Sequence, residues 1–284
     1  MLKSVVLASV AVASLTAFAT GASAQSSTSP ILGNGTTANE SFVLQRGNNN
    51  NATVNQTGTN VKAGSLTNQV DLTASKITEG DANYQFQYAS TVLQNGSGNG
   101  LTITQAGTNN QVVTTNGNLD RYDFSFNPNN GSFSAGDGNS ASVTQNGTNG
   151  QAQFQQRGNR NQATITVDSN VQNTYAGIFQ DGNDNKAGIY QHDGSKDAYA
   201  VVRQVGSGNE GYIDQYGQTN YAALLQVGNG NYATIGQAGT AGVGAFGYQN
   251  GNGNTGAITQ YGSYYSNAGF AQIGNGNTAR ITQR

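Results

Sequence analysis

Residues 226–239 read QVGNGNYATIGQAG, and their spacing decides the fold. Gln226-x-Gly228 opens the stretch and Gln237-x-Gly239 closes it, with Asn231, Ala233, Ile235 and Gln237 two apart. Residues two apart in a strand share one face. Glycine and asparagine tolerate positive φ, so Gly228-x-x-Asn231 reads as a chain reversal. The stretch therefore predicts strand, turn, strand, with one set of residue types facing inward. Helix fits poorly, because glycine recurs too often and the apolar period is two.

The arrangement restarts along the chain. Copies carry Gln180, Gly182, Asn185, Ala187, Ile189 and Gln191, then Gln204, Gly206, Asn209, Gly211, Ile213 and Gln215. The quoted copy begins at Asn220 and runs through Ala222, Leu224 and Gln226 to Gln237. Two more hold Gln249, Gly251, Asn254, Gly256, Ile258 and Gln260, then Gln272, Gly274, Asn277, Ala279, Ile281 and Gln283. Restarts fall roughly 22–24 residues apart, a solenoid-like period. Upstream, Gln45, Gly47, Asn50 and Gln56 fit, as do Gln94, Gly96, Asn99 and Gln105. Shorter matches lie at Asn139, Ala141, Val143 and Gln145, and at Gln156, Gly158, Asn161 and Ala163. Residues 61–87 and 111–135 resist phasing and read as degenerate coils or loops. Counting them, the period predicts roughly ten or eleven coils.

The two parities differ in chemistry. Arg46, Arg157, Lys186, Arg203, Glu210, Asp214 and Arg280 fall opposite the Asn/Ala/Ile/Gln face, as do Tyr190, Tyr212, Tyr221 and Tyr232. A disordered Gln/Asn-rich tract would scatter charge over both. Around residues 245–249 a one-residue slip leaves either Phe246 or Gly247 inward. If each unit is one coil, the next stacks about 4.8 Å above it. Identical amides, carrying donors and acceptors, then hydrogen-bond along the stack. Ala and Ile close the dry space between strands, as in a steric zipper. The expected fold is an all-β, cross-β solenoid of stacked strand-turn-strand units able to form amyloid. Its ladder amides are those named above other than the shorter matches at Asn139, Gln145, Gln156 and Asn161, and its turn glycines are Gly47, Gly96, Gly182, Gly206, Gly228, Gly251 and Gly274.

Composition agrees with a polar zipper. The 284 residues include 40 glycines, 2 prolines and no cysteine or tryptophan, and 9% are charged. Such a chain cannot bury an ordinary Leu/Ile/Phe core, and it has no disulfide framework. Lys3, an apolar run over residues 5–19 and Ala22-Ser23-Ala24 read as an export leader, residues 1–24, cut before Gln25. Residues 25–38 are Ser/Thr/Gly-rich and lack the repeat, so they are expected to be flexible. Residues 39–284 form the repeat region. Without Lys3 the basic count is 12 − 1 = 11 against 14 acids, a net charge of −3. That is no basic footprint for nucleic acid. No stretch of the mature chain is apolar enough to span a bilayer as a helix.

The last unit, Ser266-x5-Gln272-x-Gly274-x2-Asn277-x-Ala279-x3-Gln283, resembles the curlin repeat of bacterial curli subunits. The other units from Thr174 match except at the serine, with Gly211 and Gly256 in place of alanine. The resemblance implies a secreted subunit of extracellular functional-amyloid fibres in the biofilm matrix. It further implies adhesion, a companion subunit, an outer-membrane secretion pore and periplasmic chaperones, and it leaves major subunit and nucleator open. Residues 25–38 would address the pore.

Other chemistries were weighed against the repeat. Gly206-x-Gly208-x-x-Gly211 and Gly251-x-Gly253-x-x-Gly256 spell a dinucleotide fingerprint, yet they straddle a repeat turn, and β pattern rather than a helix follows. His192 is the one histidine; without a second histidine or any cysteine no metal centre is expected, and it reads as a turn residue. Asp181 and Asp184 likewise read as turn residues. A polysaccharide-cleaving β-helix would need paired carboxylates, but the acids here are scattered. Neither an enzyme nor a cofactor is expected. The alternative reading is a monomeric solenoid, a surface adhesin or an ice binder. An ice binder needs a flat outward array, and Thr102-x-Thr104 is not repeated in phase along the sequence. A lasting monomer also needs capping repeats, whereas the pattern runs to Gln283.

Overall fold

The computed structural model describes residues 13–18, 40–41, 43–63, 65–66, 89–112, 115–116, 131–239, 242–262 and 266–284. Every regular element among them is a strand. Nine coils stack into two facing parallel sheets. The first strands of coils 4 to 9 are Gln151–Arg157, Tyr175–Asp181, Tyr199–Val205, Tyr221–Val227, Gly244–Asn250 and Asn267–Ile273. The second strands of coils 1 to 9 are Asn51–Gln56, Gly100–Gln105, Ser140–Gln145, Gln162–Val167, Lys186–Gln191, Glu210–Gly217, Tyr232–Gly239, Thr255–Tyr261 and Thr278–Gln283. The described residues thus form a β-solenoid with fewer coils than the repeat count predicted. Eight spacings of about 4.8 Å make it roughly 40 Å long.

Two long insertions account for the difference. In coil 1 the first strand runs through Glu40–Ser41 and Val43–Arg46. In coil 2 the same line is begun by Lys62–Ala63, which pairs with Glu40–Ser41, and finished by Val92 to Asn95, which pair with Val43–Arg46. In coil 3 it is begun by Gln111–Val112 and finished by Phe133–Ala135. Both halves of that strand then pair with Gln151–Arg157. From Arg46 to Asn95 is 95 − 46 = 49 residues, and from Asn95 to Ala135 is 135 − 95 = 40. The next interval, Ala135 to Arg157, is 22. The excess, 49 − 22 = 27 and 40 − 22 = 18, leaves and re-enters the solenoid within one strand. Where each excursion departs, Ser65–Leu66 and Thr115–Asn116 pair antiparallel along Ala89 to Thr91. Of the segments that defeated phasing, Lys62–Ala63, Gln111–Val112 and Phe133–Ala135 lie in the strand line itself, and residues 67–88 and 117–130 lie outside the described residues.

The interior is narrow and holds one main run of buried apolar side chains. Ala152, Ala176, Ala200, Ala222 and Ala245 form one buried column, facing Ile165, Ile189, Ile213, Ile235 and Ile258. Each buried isoleucine contributes about 1.5–3 kcal/mol relative to exposure. The register at coil 8 is settled: Gly247 is inward and buried, and Phe246 is outward and 48% exposed. Phe270 of coil 9 fills the resulting hollow, because a side chain at Gly247 or Gly256 would collide with its ring. Leu224 occupies the space left by Gly211 in the same way. The apparent dinucleotide fingerprints are thus one turn glycine, one positive-φ glycine and one glycine making room for a large neighbour.

Of the expected leader, Ala13–Phe18 is described, and it pairs antiparallel along Asn51–Gln56. The remainder of residues 1–24, and residues 25–38, lie outside the described residues. Among the described residues no helix is long and apolar enough to cross a membrane.

Candidate functional site: the amide ladders and the open coil

Three amide columns run through the interior, two on inward positions of the strands and one on the asparagines that immediately precede the second strands. In the first strands, each glutamine Nε2 donates to Oε1 of the next coil: Gln156 to Gln180 at 3.1 Å, then Gln180 to Gln204, Gln204 to Gln226 and Gln226 to Gln249 at 2.9 Å. Gln249 continues to Gln272 at 2.8 Å. The second hydrogen of each amide crosses to the opposite sheet, as in Gln204 to the Lys186 carbonyl at 2.8 Å and Gln272 to the Thr255 carbonyl at 3.0 Å. The column is therefore satisfied while buried, which polar groups in a dry interior require. Gln45 pairs in register with Gln94, and Gln94 donates to the Asn51 carbonyl at 3.3 Å. At coil 3 Ser134 replaces glutamine, and its Oγ donates to Gln156 Oε1 at 2.8 Å.

The second strands carry another column. Gln56 donates to Gln105 at 2.9 Å and Gln105 to Gln145 at 3.0 Å. Farther along, Gln191 donates to Gln215 at 3.2 Å, Gln215 to Gln237 at 3.0 Å, Gln237 to Gln260 at 3.2 Å and Gln260 to Gln283 at 2.7 Å. Between the two runs stands Val167, paired with both Gln145 and Gln191. Valine donates nothing, and Gln191 Oε1 is accordingly buried without a hydrogen-bond partner.

The asparagine column runs the other way. Asn99 donates to Asn50 Oδ1 at 3.1 Å, Asn161 to Asn139 at 3.2 Å, Asn185 to Asn161 and Asn209 to Asn185 at 3.1 Å. Asn231 to Asn209, Asn254 to Asn231 and Asn277 to Asn254 follow at 3.0 Å. The same Nδ2 donates forward to the turn glycine carbonyl of the next coil, as in Asn185 to Gly206 at 2.8 Å. That carbonyl also explains the glycines. Gly47, Gly96, Gly182, Gly206, Gly228, Gly251 and Gly274 all have φ between 98° and 131°. In all of them but Gly274, of the last coil, a Cβ would strike the carbonyl of the next turn glycine. Asn220 is a correction. Its neighbours in the stack are Ala198 and Val243, so no amide column passes through it, and its Oδ1 has no partner.

Several features of the site were missed in the sequence. Gln145, Gln156, Asn139 and Asn161 belong to the columns. An exposed column joins Asn60, Asn109, Asn149, Asn173 and Asp197 at 2.8–3.1 Å. Charges pair one coil apart: Arg157 with Asp181, Arg160 with Asp184 at 2.7 Å and Lys186 with Glu210 at 3.5 Å. The hydrogen bond from Arg160 holds the Asp184 carboxyl below its ordinary range. The aspartates read as turn residues are thus inter-coil clasps, signalled in the sequence by opposite charges 24 residues apart. His192 lies between Asp168 at 3.2 Å and Asp214 at 2.8 Å and stacks on Tyr216.

One expectation is overturned. Register pairing places Thr53, Thr102, Ser142 and Thr164 in one outward row and Asn55, Thr104, Thr144 and Thr166 in the next. The rows are in phase across four coils, with a hydroxyl at every position but Asn55. The two insertions had hidden them by shifting the sequence period.

At the last coil the ladders stop. Among the described residues no coil accepts from Gln272 and Gln283 or donates to Asn277 Oδ1, and Ile273 is 75% exposed. Taken together, the fold and its columns define a parallel β-solenoid held by buried amides, a structural repeat architecture. The family model described as the curlin associated repeat matches residues 206–239, from the turn of coil 6 to the end of coil 7. That stretch is similar to a curlin repeat, and the same column residues recur in the coils on either side of it. No curated protein matches the chain.

Proposed function

We propose that the chain is a secreted structural subunit that self-assembles into extracellular, curli-like amyloid fibres for adhesion and biofilm matrix. The observation that carries this reading is the last coil. Its strands Asn267–Ile273 and Thr278–Gln283 have partners on one side only among the described residues. Unpaired strand edges template the addition of another chain. A second copy can supply Gln45, Asn50 and Gln56 beneath Gln272, Asn277 and Gln283, extending each column without a change of register. Loss of the leader would uncover the edge of Asn51–Gln56 along which Ala13–Phe18 lies. The curlin repeat supports the same reading, and with it a companion subunit, an outer-membrane pore and periplasmic chaperones as partners. The test is incubation of the chain from Gln25 with an amyloid dye, followed by fibre diffraction. Reflections near ~4.7 Å along the fibre and ~10 Å across it are expected. A lasting monomer at high concentration, with no dye response, would sink the proposal.

The hydroxyl array favours a second reading, a surface that binds ice. Four coils present uncharged rows about 4.8 Å apart, with side chains about 6.7 Å apart along each strand. Two-dimensional regularity of hydroxyl and methyl groups suits an ordered water lattice. Partition of the soluble chain into growing ice, lost in Thr102→Lys/Thr144→Lys, is the expected outcome. Exclusion from ice rejects this reading and leaves the fibre reading untouched.

A further inference from the structure

Three tyrosines of successive coils stack on the outer face of the first-strand sheet. Tyr175 and Tyr199 have ring centroids 4.9 Å apart and planes 14° apart; Tyr199 and Tyr221 are 5.1 Å and 2° apart. Parallel in-register pairing holds them one above another. Gly244 follows in the next coil, so the stack of aromatic rings ends at Tyr221. Tyr199 is 38% and Tyr221 is 52% exposed, whereas the Tyr175 hydroxyl is engaged, donating to Gln153 Oε1 at 2.8 Å. The nearest comparable pair, Tyr212 and Tyr232, is 6.4 Å apart and tilted by 54°.

We propose that Tyr199 and Tyr221 are a dityrosine cross-linking site, closed by a peroxidase-type one-electron oxidant with hydrogen peroxide. Each phenol loses one electron and its hydroxyl proton, giving two tyrosyl radicals. A bond forms between the ring carbons adjacent to the two C–OH carbons. The hydrogen on each coupled carbon then moves to the oxygen of its own ring, restoring two phenols. Two hydrogens are lost in all, and one peroxide is reduced to two waters. The fold supplies what the coupling needs: two oxidisable rings, accessible to the oxidant's small radical carriers, and held face to face without diffusion. A link between residues 199 and 221 joins coils 6 and 7 covalently and constrains the unfolded chain, as other cross-links do. The site lies within one molecule, so it does not depend on fibre assembly.

The experiment treats a mixture of ¹⁵N-labelled and unlabelled chains with peroxidase and hydrogen peroxide, then maps cross-links by tandem mass spectrometry. The expected product is a single-label pair of peptides carrying Tyr199 and Tyr221, lighter by two hydrogens than their sum, with dityrosine fluorescence. Tyr221→Phe keeps the ring stack and should abolish that link and most of the fluorescence. Tyr261→Phe, an exposed tyrosine away from the stack, should leave both unchanged. Links chiefly between mixed-label chains, links chiefly at other tyrosines, or undiminished fluorescence in Tyr221→Phe would each overturn the proposal.

Discussion

Val167 shows how strongly one residue is felt in a ladder. Every other second strand ends its inward face in a glutamine, and each glutamine satisfies the next. Where valine stands, Gln191 keeps a buried acceptor without a donor. Such an orphan costs about 1–3 kcal/mol. Val167→Gln should therefore stabilise the chain by about 1 kcal/mol, read as a higher guanidinium midpoint of the soluble form. An unchanged or lower midpoint would show that the column tolerates the gap. Size is matched just as locally. Phe270 fills the hollow left by Gly247 and Gly256. Gly256→Ala should cost about 1–3 kcal/mol through overpacking. Combined with Phe270→Val it should cost less than the two single changes summed, because neighbours in contact are not additive. Strict additivity in that double-mutant cycle would refute the contact.

At the scale of the coil, the two excursions are the informative elements. The strand line closes around them without loss of register, since Lys62–Ala63 and Val92 pair as if contiguous. One residue, Gln153, separates the equivalent positions in coil 4. Excising residues 64–90, a removal of 90 − 64 + 1 = 27, leaves Thr91 in that place and restores the regular length. Loop-closure entropy then favours the shortened chain by up to about 3 kcal/mol. The variant should fold with the same parallel-sheet signature in infrared spectra and a higher unfolding midpoint. A chain that no longer folds would mean that the excursion itself carries essential contacts. The clasps belong to this scale too. Arg157, Arg160 and Lys186 each meet an acid one coil on, but all these pairs are at least partly solvent-exposed. Exposed pairs contribute little stability, and their effect is on register, where a slipped coil would set like charges together.

For the whole molecule, the fibre proposal raises the question of which end would grow. The columns have a direction: glutamine amides donate toward the last coil, and asparagine amides donate back toward the first. Gln272 and Gln283 are thus the terminal donors. In an assembled fibre, truncating either one would strand an acceptor at every junction, at about 1–3 kcal/mol each time. Gln272→Ala and Gln283→Ala should lengthen the lag of dye-detected assembly well beyond that of Thr234→Ala, an outward residue of coil 7. Equal lags for all three variants at equal concentration would show that this coil is not the growing surface.

The sequence by itself determined the inner face. Period-two spacing of Gln, Asn, Ala and Ile, with Gly-x-x-Asn between, is enough to dictate strand, turn and stack, because each of those residues must lie on a copy of itself. It also kept charge off that face. What pairs with what across coils was a different matter. Phasing by sequence failed at residues 61–87 and 111–135, since an insertion inside a strand changes the count of residues but not the geometry of the hydrogen-bonded line. For that reason the nine-coil stack of the described residues, the in-phase outward rows of Thr and Ser across four coils and the break at Val167 became visible only in the tertiary structure. The choice of Gly247 over Phe246 as the inward residue was decided there as well. Both registers satisfy the local pattern, and it is the Phe270 ring of the next coil that needs the space.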